Sequence, residues 1–214
     1  MTDNFKTRLI VFDKDGTLTK PVTNNQFSET PQDQELIFEF PKLLTASNVV
    51  AIATNQKGIS DRYKTKEFLE AEIQFLREEL DFKFHFCVAC PDGGETLWSL
   101  EVPSLRIPKD PRVNFCWGNE RFVDVRDEDY GVDPSLTGKF RKPLPGMLEA
   151  LVQIAEYNEK KLNELSPNPD KTPWRISEKV FIGNAESDKQ AAKAAGFKYW
   201  DVYDWIEING FKKY

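Results

Sequence analysis

Two carboxylates one residue apart end an apolar run: Leu9-Ile10-Val11-Phe12 is followed by Asp13-Lys14-Asp15-Gly16-Thr17. No polar residue interrupts the run, so it reads as a short strand buried on both faces. In a parallel α/β sheet, ligands bind at the carboxyl ends of the strands. From such a tip Asp13 points into the crevice, able to attack an electrophilic phosphorus as a carboxylate nucleophile. Asp15 lies close by on a differently directed backbone, suited to protonate a leaving oxygen and later deprotonate water. Carboxylates this close repel, and a bound divalent cation relieves the repulsion. Gly16 permits the turn, and Thr17 offers a hydroxyl and a backbone N–H to hold the loop. The bland alternative is a strand capped by an acidic surface turn, and the apolar run with the following Leu18-Thr19 weighs against it.

Three further strand ends or turns carry groups of the matching kind. Val49 to Ala53 reads as a buried strand ending in Thr54-Asn55-Gln56-Lys57-Gly58, where a hydroxyl and an amide can grip phosphate oxygens through neutral hydrogen bonds. In Lys139-Phe140-Arg141-Lys142-Pro143-Leu144-Pro145-Gly146-Met147, a lysine fixed before a proline can set an ammonium over a dianionic substrate. Arg141 beside it faces either substrate or solvent. Lys179 to Gly183 reads as another buried strand, ending in Asn184-Ala185-Glu186-Ser187-Asp188, a place for oxygen ligands to Mg2+.

Phe12-Asp13-Lys14-Asp15-Gly16-Thr17 resembles the first motif of the haloacid dehalogenase (HAD) phosphatases. The resemblance implies that Asp13 is an aspartyl-phosphate nucleophile and Asp15 the acid/base. It also implies that Asp13 and the backbone carbonyl of Asp15 ligate Mg2+. Thr54-Asn55-Gln56-Lys57-Gly58 resembles the second motif, with Thr54 as the phosphate-binding hydroxyl and Asn55 beside it. Its TNQxG form is similar to subfamily IIIA, which contains polynucleotide 3′-phosphatases, histidinol-phosphate phosphatases and heptose bisphosphate phosphatases. RKPxPGM resembles the third motif and makes Lys142 its lysine. The fourth motif is resembled with one departure: Asn184 stands where an aspartate is usual. An amide oxygen can still ligate Mg2+ or orient a ligating water, but it brings no charge, so Asp188 is expected to supply it. The implied fold is α/β, a Rossmann-like doubly wound parallel sheet, with all four motifs in family order from Leu9 to Val202.

The elements that must position these groups follow from periodicity and punctuation. Lys20 to Asp33 is polar and reads as a loop, either a flap over the site or a plain connector. Gln34 to Ala46 has helical spacing, with Pro41 a candidate break. Ser60 to Leu80 reads as a long amphipathic helix with Phe68, Ile73, Phe75, Leu76 and Leu80 on its core face. Phe82 to Ala89 reads as a third strand. Helices are expected over Gly146 to Leu165 and Lys189 to Ala195, and a last strand over Phe197 to Val202. The whole of 1–214 is expected to be one domain, with 91–138 an insertion of short strands near the site mouth. Its Trp98, Phe115, Trp117 and Phe122 are available to stack on a base, although such aromatics more often form a small local core. His85, Cys87, Cys90 and Cys116 offer zinc-ligand chemistry, but strand alternation sets His85 and Cys87 opposite Cys90, and buried cysteines are the better reading.

Composition narrows the class. The net charge of −6 does not advertise a nucleic-acid binder, although a local basic rim suffices for one. Candidate rim groups are Lys57, Arg62, Lys64 and Lys66; Arg106, Lys109 and Arg112; and Lys139, Arg141 and Lys142, each group also readable as solvated surface. Three cysteines in 214 residues suit a reducing cytoplasm, and no apolar run reaches membrane-spanning length. No P-loop kinase signature occurs. The expected function is a Mg2+-dependent phosphomonoesterase, with 3′-phosphorylated DNA ends as leading substrate. A sugar or histidinol phosphate is the small-molecule alternative. A HAD-fold binding protein that has lost turnover is the non-enzymatic one, supported by Asn184 alone.

Overall fold

The structure, a computed structural model, describes residues 6–23, 25–39, 48–100, 121–126, 130–164 and 175–212. Among them, β1 (Lys6–Phe12) is an interior strand of a seven-stranded sheet and the middle one of its five parallel strands. It pairs in parallel on one side with β4 (Asn48–Asn55) and on the other with β8 (Arg175–Gly183). Beyond β4 comes parallel β5 (Phe86–Cys90), and beyond β8 comes parallel β9 (Lys198–Asp201). The sheet is thus mostly parallel and wound outward in both directions from β1, which places the topological switch point at the tip of β1. At the β5 edge, β6 (Trp98–Leu100) and β7 (Phe122–Asp124) add antiparallel, so the sheet is mixed rather than wholly parallel.

Alternation along the central strands feeds two cores, as a sheet covered on both faces requires. Leu9, Val11, Val49, Ala51 and Ala53 face α2 (Gly146–Glu164) and α3 (Glu186–Ala194), against Met147, Leu148, Leu151, Ala191 and Ala192. Ile10, Phe12, Val50 and Ile52 face α1 (Lys66–Glu78) and α4 (Val202–Asn209), against Leu69, Ile73, Leu76, Trp205 and Ile206. Each buried Leu or Ile stabilises by about 1.5–3 kcal/mol.

Several elements depart from their expected bounds. The helix expected from Gln34 is not present over 34–39: Glu35–Leu36 is instead a short strand, β3, paired antiparallel with β2 (Thr19–Lys20), and 40–46 lies outside the described residues. Helical spacing was misleading here because Ile37 and Phe38 are buried from a bend, with Ile37 N–H donating to Leu18 O. The long helix begins only at Lys66, capped by Thr65 Oγ1 accepting from Phe68 N–H, and 57–64 is turns. Its buried stripe is Leu69, Glu72, Ile73, Leu76 and Arg77, with Phe68 and Phe75 half-buried. The third strand starts at Phe86, α3 starts three residues earlier than expected, and α4 follows β9 directly. Asp33 ties the 20–33 loop together, accepting from Thr23 and Glu29. No helix among the described residues is long and apolar enough to cross a membrane.

Candidate active site

Register sets the geometry. Phe12 pairs with Ile52 on one side and Ile182 on the other, so three parallel strands end at one level. Asp13 leaves the first tip, Thr54 and Asn55 end the second, and Asn184 follows the third. Asp13 N–H donates to Ile182 O at 2.9 Å, holding the chain in line for one residue past β1. Gly16 then turns back at φ +80, and an added Cβ there would sit 2.3 Å from Asn184 Nδ2. The first and third tips are therefore in close contact, and Thr17 Oγ1 lies 3.3 Å from Asn184 Oδ1.

Lys142 reaches this point from across the sequence. Its Nζ lies 2.6 Å from Asp13 Oδ1, 2.7 Å from Asp188 Oδ1 and 3.2 Å from Ala53 O, which uses all three ammonium donors. It also lies 5.3 Å from the centre of the Phe181 ring. Asn55 fixes the Lys142 backbone, accepting from its N–H at 3.1 Å and donating to its carbonyl at 3.2 Å. Asn55 is thus engaged in holding the lysine. Arg141 Nη1 lies 3.4 Å from Asp92 O, which joins the 91–94 loop to the lysine turn. Gly94 O strengthens the same junction by accepting from Gly138 and Phe140.

Asp188 has both oxygens occupied. Oδ1 meets Lys142, while Oδ2 accepts from Asn184 N–H and Ala185 N–H, each at 3.2 Å, at the start of α3. Gly183 is required beside it, since a Cβ there would lie 2.6 Å from Asp188 Oδ2. Thr54 Oγ1 accepts from Gln56 Nε2 at 2.9 Å, and the same amide donates to Asp15 Oδ2 at 2.8 Å. Asp15 Oδ1 meets Lys14 Nζ at 2.5 Å.

The electrostatics follow from burial and partners. Burial raises the Asp13 carboxyl to about 6; Lys142 opposes the shift, and the neighbouring Asp188 and Asp15 charges add to it. Burial would lower the Lys142 ammonium, but Asp13 and Asp188 outweigh it and hold the proton more firmly than usual. Burial would likewise raise Asp15, yet Lys14 and Lys64 hold it below the ordinary carboxylate value.

The donor chemistry fits Mg2+. No cluster of three or more His, Cys, Asp or Glu poised around a metal occurs among the described residues. The groups present are a carboxylate, a backbone carbonyl and an amide oxygen at adjoining tips, the kind of hard-oxygen donors that this ion prefers. The zinc reading rests partly on Cys116, which lies outside the described residues, as do Phe115, Trp117, Arg106, Lys109 and Arg112. His85 Nδ1 accepts from Val50 N–H at 3.0 Å, and burial pushes the Cys87 thiol up and the Cys90 thiol to about 11.

Three buried polar residues at the site were not singled out by sequence reasoning: Lys14, Gln56 and Glu72. Lys14 was only the spacer of the DxD. Glu72 had a visible signal, since it falls at a core position of the Leu69, Ile73, Leu76 stripe. Of the expected surface cations, Lys64 is only 17% exposed in its side chain and points inward.

Comparison with known proteins agrees with this architecture. Residues 8–202 match the family model described as polynucleotide kinase 3 phosphatase. No curated protein matches the sequence. Among solved structures, D,D-heptose 1.7-bisphosphate phosphatase from B. bronchiseptica, complexed with magnesium and phosphate, is similar at TM-score 0.52 and 19% identity. The similarity covers 91% of this chain and 80% of that one. A Mesorhizobium loti protein described as HAD-like is similar at TM-score 0.48 and 21% identity, over 92% of this chain and 72% of its own.

Proposed function

This chain belongs to the polynucleotide kinase 3 phosphatase family, and from that premise we propose that it is a HAD-type phosphatase that removes the terminal phosphate from 3′-phosphorylated DNA ends. The chemistry is carried by one observation. Asp13 and Lys142, 129 positions apart, meet at 2.6 Å at the switch point of the sheet, where Thr54 lies at the end of β4 and Asn184 follows β8.

In the proposed reaction a carboxylate oxygen of Asp13 attacks phosphorus, the ester oxygen leaves, and an aspartyl phosphate remains. The protonated form of Asp15, a minority in the resting site, supplies the proton to the departing 3′ oxygen, and the resulting carboxylate removes one from the water that cleaves the acyl phosphate and restores Asp13. Lys142 and the Thr54 hydroxyl hold phosphoryl oxygens, so one of the three present ammonium contacts gives way to substrate. Asn55 and Asp188 act through Lys142, the first on its backbone and the second on its ammonium. Asp13, the Asp15 carbonyl and Asn184 are the groups that would hold Mg2+, with Asp188 close behind. When bound, that ion neutralises charge between carboxylate and phosphate.

The test compares a 3′-phosphorylated oligonucleotide with small phosphomonoesters, in Mg2+ and in EDTA, for the wild type and Asp13→Ala. Phosphate release from the oligonucleotide, weakening with salt and lost in Asp13→Ala, is the expected result. Unchanged Mg2+-dependent release by Asp13→Ala would overturn the mechanism. Equal turnover of small esters would move the substrate to a sugar or histidinol phosphate, and inactivity throughout would indicate a binding protein.

A further inference from the structure

Behind Asp15 lies a closed ring of charged and amide groups. Asp15 Oδ1 meets Lys14 Nζ at 2.5 Å, and Lys14 Nζ lies 3.4 Å from Glu72 Oε2. Glu72 Oε2 also contacts Lys64 Nζ, which donates to Gln56 Oε1 at 3.2 Å. Gln56 Nε2 closes the ring on Asp15 Oδ2 at 2.8 Å. Lys14 is 0% and Glu72 1% exposed in their side chains, whereas the Asp15 side chain is 39% exposed. One end of the ring therefore opens to the site and the other is sealed against α1.

We infer that Glu72 is a positioning residue for proton transfer: by anchoring both ammonium groups it fixes the Asp15 carboxylate in one orientation. Glu72 is the only member of the ring that touches both lysines. Among the described residues neither of its oxygens accepts a hydrogen bond from any further group, so the two ammonium groups are its counterions. A buried ion cluster is weak support for stability, since well-packed apolar side chains commonly replace one at no loss. An acid placed in the Leu69, Ile73, Leu76 stripe of α1 accordingly calls for another reason. Geometry supplies it. Asp15 has its two oxygens gripped from opposite sides, by Lys14 and by Gln56, and both grips run back to Glu72. Without that anchor, Lys14 and Lys64 repel across the gap and each can turn toward solvent or Asp15, so the carboxylate loses its fixed aim. Gln56 also donates to Thr54 Oγ1, so the same ring reaches the proposed phosphate hydroxyl.

The inference rests on the reading of Asp15 as acid/base, and the test separates the two. kcat/KM reports the first chemical step, in which a poor leaving group needs a well-placed acid and a good one does not. Glu72→Gln keeps the shape and removes the charge, and Lys64→Met removes the neighbouring contact at a position with 17% of its side chain exposed. Each is assayed in Mg2+ on a 3′-phosphorylated oligonucleotide and on 4-nitrophenyl phosphate. Both variants are expected to lose about tenfold or more in kcat/KM on the oligonucleotide, a part of the ~10²–10⁴ that a placed acid contributes. Losses on the nitrophenyl ester should stay several-fold smaller. Equal losses on both esters would mark a merely structural ion cluster and overturn the inference, as would no loss on either. If Glu72→Gln fails to fold, the Lys64→Met comparison decides alone by the same criterion. Wild-type protein inert toward both esters would overturn the proposed reaction and this inference with it.

Discussion

Lys142→Met removes one charge from the centre of the site and leaves most of the side chain's volume. In the native protein the ammonium lies 2.6 Å from Asp13 and 2.7 Å from Asp188, with 2% of the side chain exposed. Without it, two buried carboxylates face each other with no cation between them. Removing one partner of a buried ion cluster costs about 3–5 kcal/mol, because the remaining charge is left uncompensated. The carboxyls have an escape, which is to take up a proton. Even with Lys142 present, burial holds Asp13 at about 6; without the lysine's pull its value moves higher still. A folded pKa above the unfolded one of about 3.9 means stability that is full at low pH and lost as pH climbs through the folded value. The variant is therefore expected to be about 3–5 kcal/mol less stable than wild type at pH 7.5. That deficit should shrink by about 1–3 kcal/mol at pH 5.5, at about 1.4 kcal/mol per pH unit for each proton taken up.

Urea unfolding of both proteins in EDTA, at the two pH values, reads these differences directly. A phosphatase assay on the same samples should show a fall of about 10²–10³ in kcat, the loss of one charged contact to the reacting group. Equal stability at pH 7.5, or a deficit that grows on acidification, would refute the placement of the ammonium between two buried carboxylates.

Two other expectations follow from single residues. Asn184→Asp adds a full charge against the Gly16-Thr17 turn at the tip of β8, and is expected to tighten Mg2+ binding by about tenfold while lowering stability in EDTA. Titration calorimetry and thermal melts with and without the ion check both halves, and an unchanged affinity would place the ion away from position 184. His85 is the chain's one histidine, and burial lowers its imidazole to about 4 against an ordinary 6.5. Its contribution to stability is full above about pH 6.5 and is lost as pH falls toward 4, about 3 kcal/mol over that window. NMR titration of the single imidazole, with urea unfolding of His85→Gln alongside, would show it, and an imidazole titrating near 6.5 would contradict it.

Much of the strand framework was legible because buried parallel strands leave a plain mark: a continuous apolar run ending in polar groups. Leu9 to Phe12, Val49 to Ala53 and Lys179 to Gly183 each carry it, and each runs into a side chain that register brings to the same level. The helices read less well at their ends. Ser60 to Lys64 shares the composition of a helix start, but Thr65 holds the capping position and competes successfully. Pro41 and the apolar residues before it gave no hint that Glu35–Leu36 would pair with Thr19–Lys20. A two-residue ladder has no period to detect, and it exists only because the turn at Gly16 brings the chain back.

The misreading at α1 has more consequence, because it concealed chemistry. Counting only apolar residues favours Phe68 and Phe75, yet the buried stripe is Leu69, Glu72, Ile73, Leu76 and Arg77, spaced three, four, seven and eight residues on from the first. A glutamate inside that stripe breaks the apolar pattern, and the sequence alone cannot say what balances it. The partners lie elsewhere: Lys14 in the turn after β1 and Lys64 before the helix cap. A charge in a helix's core stripe therefore signals a missing counterion. When a DxD spacer is a lysine, the two irregularities call for each other. Periodicity marks only the glutamate of such a pair: the lysine of the DxD becomes anomalous only when buried, and its burial is decided by the sheet that brings the two together.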